Sequence, residues 1–184
     1  MLGVVLAGGE SRRMGQDKAG IVLGGQPLWR RQSEVLRLAG ADKVFLVRRP
    51  GQPCPEGISC LRDVFQGAGP MAGLHAALIE ARFGHVAVLA VDMPAIDPEW
   101  FLWLAGLCGP GLGAMAVHAA ACEPLAAIYP VEAIGETVTR LERAEYSLQG
   151  LARALEAAGR MRLVPLAEGA EQRVASLNWP VQLG

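Results

Sequence analysis

The 184-residue chain has almost no net charge: 17 Lys and Arg stand against 18 Asp and Glu, a formal −1. That balance gives no global electrostatic reason to bind nucleic acid or an anionic membrane, so any phosphate site must be local. Histidine is scarce: His75, His85 and His118 stand apart from one another, and each reads as a surface or packing residue rather than a ligand. The four cysteines, Cys54, Cys60, Cys108 and Cys122, form no CxxC pair and have no histidine at zinc-like spacing, so ordinary reduced thiols are expected. Long apolar runs are missing too. No stretch approaches the roughly 20 uninterrupted apolar residues of a membrane span. Met1 to Leu6 has no basic leader and meets Gly8-Gly9 before a signal-peptide core forms, so a soluble, cytoplasmic protein is expected.

Two familiar phosphate motifs are also absent. A P-loop requires Gly-Lys followed by Ser or Thr, whereas Lys18 lies three residues beyond Gly15 and precedes Ala19. The Rossmann fingerprint GxGxxG has no match in the N-terminal loop, and Gly67-Ala68-Gly69-Pro70-Met71-Ala72-Gly73 has one residue too many, with Pro70 favouring a rigid turn. A dinucleotide-dependent oxidoreductase is therefore disfavoured.

What is present is a 52% apolar composition and a chain long enough for one full core, so a single domain over 1–184 is expected. Val4-Val5-Leu6 reads as a buried first strand and Pro27 to Ala39 as an amphipathic helix. Lys43 to Val47 and Ile58 to Leu61 follow as strands, Gly73 to Ala81 as a helix, and Val86 to Val91 as the clearest buried strand. Asp97-Pro98-Glu99 starts a helix running to about Leu107. Ala114 to Val117 and Pro124 to Ile128 read as strands, either a hairpin or neighbours. Pro130 to Leu141 and Ser147 to Ala158 read as helices, with strands at Met161 to Val164 and Arg173 to Leu177. The alternation predicts a three-layer α/β sandwich on a mostly parallel, Rossmann-like sheet. Ligands of such sheets bind outside the carboxyl ends of the strands, so residues after Leu6, Leu61 and Val91 should meet in one crevice.

Three chemically informative segments lie there. Leu6 to Lys18 places glycines after a buried strand, which exposes consecutive N–H groups, and adds Arg12, Arg13 and Lys18 as cationic donors for a triphosphate. Asp63 precedes the Gly67 to Gly73 run, and Asp92 begins Asp92-Met93-Pro94 just past a strand end. Asp92 is the metal candidate, because magnesium accepts one or two carboxylates together with phosphate oxygens and water. Asp63 is a second acid or meets ribose or acceptor.

The first segment closely resembles the LAGG-x-S-x-RMG-x-DK signature of nucleotidyltransferases that include the molybdenum cofactor guanylyltransferases. The resemblance extends through Gly25-Gln26-Pro27-Leu28, Gly69-Pro70-Met71-Ala72-Gly73, Val91-Asp92-Met93-Pro94 and Leu177-Asn178-Trp179-Pro180. It implies the nucleotide-diphospho-sugar-transferase type of sheet and a magnesium-dependent transfer of GMP from GTP to molybdopterin, releasing pyrophosphate and forming a guanine dinucleotide cofactor. Carried over by position, it implies that Leu6, Ala7 and Gly8 contact the nucleotide, Lys18 its phosphates, Asp63 the nucleotide, and Asp92 both nucleotide and metal. Lys18, Asp92 and Arg13 are the catalytic candidates. Gly9 tilts the base toward guanine, since related cytidylyltransferases tend to read LAAG.

The nucleotide is expected on about residues 1–95 and the acceptor on about 96–184, with Glu123 and Asn178 as acceptor candidates; their alternatives are a strand entry and a helix cap. Molybdoenzyme-maturation proteins are expected as transient partners. There is one departure: members with an Asn at the end of the second strand have no counterpart here, where the chain reads Val47-Arg48-Arg49. Either Arg48 or Arg49 takes over a contact, or the nucleotide preference differs. The competing expectations are a cytidylyltransferase for the same cofactor, a sugar-phosphate nucleotidyltransferase, and a nucleotide-binding adaptor without transfer activity.

Overall fold

A computed structural model of the chain describes residues 1–8, 17–63, 65, 67–167 and 169–176. The strands are β1 (Leu2–Leu6), β2 (Val22–Leu23), β3 (Gln26–Pro27), β4 (Lys43–Arg48), β5 (Ser59–Arg62), β6 (His85–Ala90), β7 (Gly113–His118), β8 (Ala121–Cys122), β9 (Ala126–Pro130) and β10 (Met161–Pro165). The α-helices are α1 (Leu28–Leu38), α2 (Pro70–Ala81), α3 (Pro98–Ala105), α4 (Ile134–Glu142) and α5 (Leu148–Ala157).

The main sheet has the order β10-β7-β9-β6-β1-β4-β5, with β8 paired to β7. Strands β6, β1, β4 and β5 are parallel, as are β10 and β7, whereas β9 runs antiparallel to both its neighbours. The sheet is thus mixed but mostly parallel and covered on both faces, as three-layer α/β sheets are. Because successive strand residues point to opposite faces, Val5, Leu46 and Leu89 join one core with Leu36 of α1 and Phe101 of α3. Val4, Val47 and Val88 join the other with Met71 of α2, Leu141 of α4 and Leu155 of α5. A fully buried side chain of this size contributes roughly 1.5–3 kcal/mol, and the two cores together fix the level at which the strands end. The N-terminus of α3 is capped as expected: the Asp97 side chain accepts from Trp100 N–H, and Pro98 takes the first helical position.

Four local expectations change and one open alternative is resolved. Helix α2 begins at Pro70 rather than Gly73, because Gly69 adopts φ +59°, a conformation suited to glycine, and Pro70 is preorganised for the first turn. Pro130 belongs to β9, paired with His85, so the helix expected from Pro130 is a short 3₁₀ turn, Val131–Ala133, followed by α4. The undecided pair β7 and β9 are antiparallel neighbours, separated in sequence by β8. The strand expected from Arg173 is replaced by a 3₁₀ helix, Ala170–Val174, because left-handed Gly169 turns the chain and Arg173 pairs with Asp97 at 2.5 Å; Leu177 lies outside the described residues. Finally, Cys54 and Cys60 are joined in a disulfide, whereas Cys108 and Cys122 are free thiols. The connection between β4 and β5 folds back on itself and brings the first two together, which their spacing alone did not reveal.

Candidate functional site

The strand register places the chemistry. Leu6 of β1 pairs with Val47 of β4 on one side and Ala90 of β6 on the other, and Val47 pairs with Leu61 of β5. Two residues beyond that common rung stand Gly8, Arg49, Asp63 and Asp92. The level is held past the last ladder pairs by Ala7 N–H to Val47 O and Val91 N–H to Leu6 O, both 3.1 Å. All four residues line a cleft of about 900 Å³ at the carboxyl ends of the strands. Antiparallel β9 contributes from its beginning, where Leu125 lines the same cleft and its carbonyl accepts from Ala90 N–H at 2.8 Å.

Helix α2 forms the wall over this rung. A Cβ on Gly73 would lie 3.0 Å from both Leu6 Cδ2 and Val47 Cγ1, so the glycine lets the helix settle this close to the strand ends without either side chain giving way. The Gly-Pro-Met-Ala-Gly run is therefore a helix start pressed against the sheet.

Lys18 reaches the cleft from a 3₁₀ turn, Lys18–Gly20, and its Nζ lies 2.7 Å from Asp92 Oδ2. Both side chains remain partly exposed, at 34% and 23%. Asp63 is far more enclosed, at 8%. Burial pushes its carboxyl above the usual carboxylate range, opposed by the nearby Arg49 guanidinium.

Of the expected site residues, Leu6, Ala7, Gly8, Lys18, Asp63 and Asp92 all line the cleft. Gly9, Arg13 and Asn178 lie outside the described residues. Glu123 sits in the turn between β8 and β9, where its N–H donates to Ala116 O and its carbonyl accepts from Ala126 N–H. It is not among the lining residues of the cleft, and burial raises its carboxyl pKa. The two arginines after the second strand separate: Arg49 lines the cleft, whereas Arg48 is 1% exposed and bonded to Asp17.

One supporting residue was not anticipated. Gln32 of α1 is fully buried, and its Nε2 donates to Met93 O at 2.7 Å and Ala90 O at 3.4 Å, bracing the turn that carries Asp92. Its Oε1 has no partner among the described residues. A glutamine on the buried stripe of an amphipathic helix was the available signal, since buried polar groups are there to bond something.

Among the described residues no group of three or more His, Cys, Asp or Glu is placed to hold a metal. The two carboxylates of the cleft would suit a hard divalent ion whose remaining ligands are phosphate oxygens and water.

A covered parallel sheet whose carboxyl-end cleft offers glycine backbone, a lysine and two carboxylates defines a nucleotide-binding α/β protein. The family model of the MobA-like NTP transferase domain matches residues 3–164, and the chain belongs to that family of nucleotidyltransferases. It is 48% identical over 184 residues to a probable molybdenum cofactor guanylyltransferase from Opitutus terrae, covering 98% of this chain and 91% of that protein. A molybdenum cofactor guanylyltransferase from Rhizobium johnstonii is 36% identical over 135 residues, 70% of this chain and 63% of that protein. Among solved structures, molybdopterin-guanine dinucleotide biosynthesis protein A from Archaeoglobus fulgidus superposes with a TM-score of 0.72 at 23% identity, covering 98% and 93% of the two chains. The 2-C-methyl-D-erythritol 4-phosphate cytidylyltransferase from Thermus thermophilus does so at 0.69 and 17% identity, covering 96% and 92%. These two likenesses show the shared fold.

Proposed function

We propose that this chain transfers GMP from GTP to the phosphate of molybdopterin or its molybdenum-loaded form, releasing pyrophosphate and forming the guanine dinucleotide cofactor. The observation that supports this best is the rung itself: Gly8, Asp63 and Asp92 stand two residues past one level of the sheet, with Lys18 reaching in among them.

Each group has work that its chemistry suits. The Gly8 backbone lies where a nucleotide approaches without a side chain between, and the choice of guanine rests on Gly9 in the sequence. Lys18 donates to the phosphates; a charge-assisted bond of this kind contributes about 1.5–3 kcal/mol. Asp63 holds the nucleotide beside Arg49. Asp92 holds Mg2+, which when bound supplies charge neutralisation at the phosphates.

An acceptor phosphate oxygen attacks the α-phosphorus, forming one P–O bond as the bond to the departing pyrophosphate breaks. No covalent enzyme intermediate is needed, because positioning and neutralisation by Lys18 and Arg13 lower the barrier of an in-line displacement. The acceptor enters from the side built by the second half of the chain, where Leu125 borders the cleft.

The test is a substrate panel with pyrophosphate detection. Enzyme, Mg2+, GTP and molybdopterin should release pyrophosphate and yield the guanine dinucleotide. Turnover with CTP alone overturns the choice of base, and turnover only with sugar phosphates overturns the choice of acceptor.

A further inference from the structure

Arg48 is among the largest fully buried side chains of the protein, yet it is charged and stands directly beside the cleft-lining Arg49. A guanidinium removed from water this completely requires acceptors for its donors, and among the described residues its three bonds run to two loops. Nη1 and Nη2 donate to the two carboxylate oxygens of Asp17 at 3.0 and 2.5 Å, and Nε donates to Pro53 O at 3.2 Å.

Asp17 is the N-cap of the 3₁₀ turn that carries Lys18: its Oδ1 also accepts from Ala19 N–H at 3.1 Å. On its other side the turn is anchored by Ala19, 1% exposed in the core. The turn is only three residues long and has little stability of its own. Lysine is a point charge on a four-carbon stem, so the position of its backbone decides which atoms it reaches.

We propose that Arg48 is a positioning residue that acts through Asp17 to fix the turn from which Lys18 presents its ammonium group to the cleft. It touches no ligand. This rests on the reading of Lys18 as a phosphate ligand. It also gives the two arginines after the second strand separate work: one lines the cleft and the other ties the basic turn to the end of that strand.

A double-mutant cycle tests it, reading the dissociation constant of GTP with Mg2+ by calorimetry alongside melting temperatures. Asp17→Asn keeps an oxygen for the Ala19 N–H and removes the charge facing Arg48; the Asp17 side chain is 42% exposed, so the fold should persist. GTP affinity is expected to fall about five- to twentyfold in Asp17→Asn, and by less than about twofold when the same change is made in Lys18→Ala, the non-additivity of residues acting as one unit. Arg48→Lys, which keeps the charge but loses the fork, should show the same dependence on Lys18 and serves if Asp17→Asn is unstable. A loss that persists undiminished in Lys18→Ala, or no loss where Lys18→Ala alone weakens binding, overturns the positioning role and leaves the phosphate reading standing. Unchanged GTP affinity in Lys18→Ala itself overturns both.

Discussion

Lys18 Nζ and Asp92 Oδ2 lie 2.7 Å apart across the mouth of the cleft, brought together over 74 residues of sequence. The two opposite charges satisfy one another here, where the proposed function would bring triphosphate to one and metal to the other. Both side chains keep partial contact with water, so the pair contributes only about 1 kcal/mol to stability. Its separation is therefore an inexpensive step, and in the proposed reaction phosphate binding to Lys18 would release Asp92 for the cation.

From this follows the expected phenotype of Asp92→Ala. Turnover should fall at least about 100-fold, or about 2.7 kcal/mol of transition-state stabilisation. The melting temperature should move by only a few degrees, because the side chain lies at the cleft surface. Pyrophosphate release and thermal melting measured on the same preparation decide it; near-normal turnover removes Asp92 from the site.

Asp63 gives a pH prediction. Burial raises its pKa in the folded protein, while in the unfolded chain it returns to the usual value near 4. Between those two values the folded state binds the proton more tightly, so stability falls as pH rises through that window. The full penalty is present above the folded pKa and absent below the unfolded one. Asp63→Asn, which cannot ionise, should therefore melt higher than the parent at pH 7, with the difference shrinking toward zero at acid pH. GTP binding should weaken in the same variant. Melting curves across pH provide the check, and a variant that melts lower than the parent at pH 7 contradicts the burial argument.

The site was legible to the extent that it follows from strand ends. Gly8 and Asp92 come directly after apolar runs and Asp63 two residues after Leu61, and in a parallel sheet the ends of such strands share one edge. The direction of β9 was not legible: Ala126 to Pro130 is buried throughout, and a strand hidden on both faces carries no mark of which way it runs. Nor were the residues that act at a distance. Arg48 meets Asp17 across 31 positions, and Gln32 meets Met93 across 61. Neither pair has a sequence spacing that local geometry constrains. The helix start at Pro70 was written in the sequence, but the glycines around it read equally as a turn.

Gln32 is the sharper case, because its burial and its bonds make separate demands. Its amide is the donor to both carbonyls that flank Val91-Asp92, so replacing it with an apolar residue leaves Met93 O without that donor. Gln32→Met should cost about 0.5–1.5 kcal/mol for the lost side-chain bonds, since Met93 O keeps the Ile96 N–H and Ala90 O keeps the Met93 N–H, and this is offset in part by removing the partnerless Oε1. For a chain of this size that corresponds to a fall in melting temperature of about 1–6 °C. A second effect separates bracing from packing: once the turn relaxes, Asp92 is less well placed, and the Mg2+ concentration giving half-maximal turnover should rise severalfold. Leu36→Val, a core truncation on the same helix, should lower stability without moving the Mg2+ dependence. If the two variants differ only in stability, Gln32 is a core residue and nothing more.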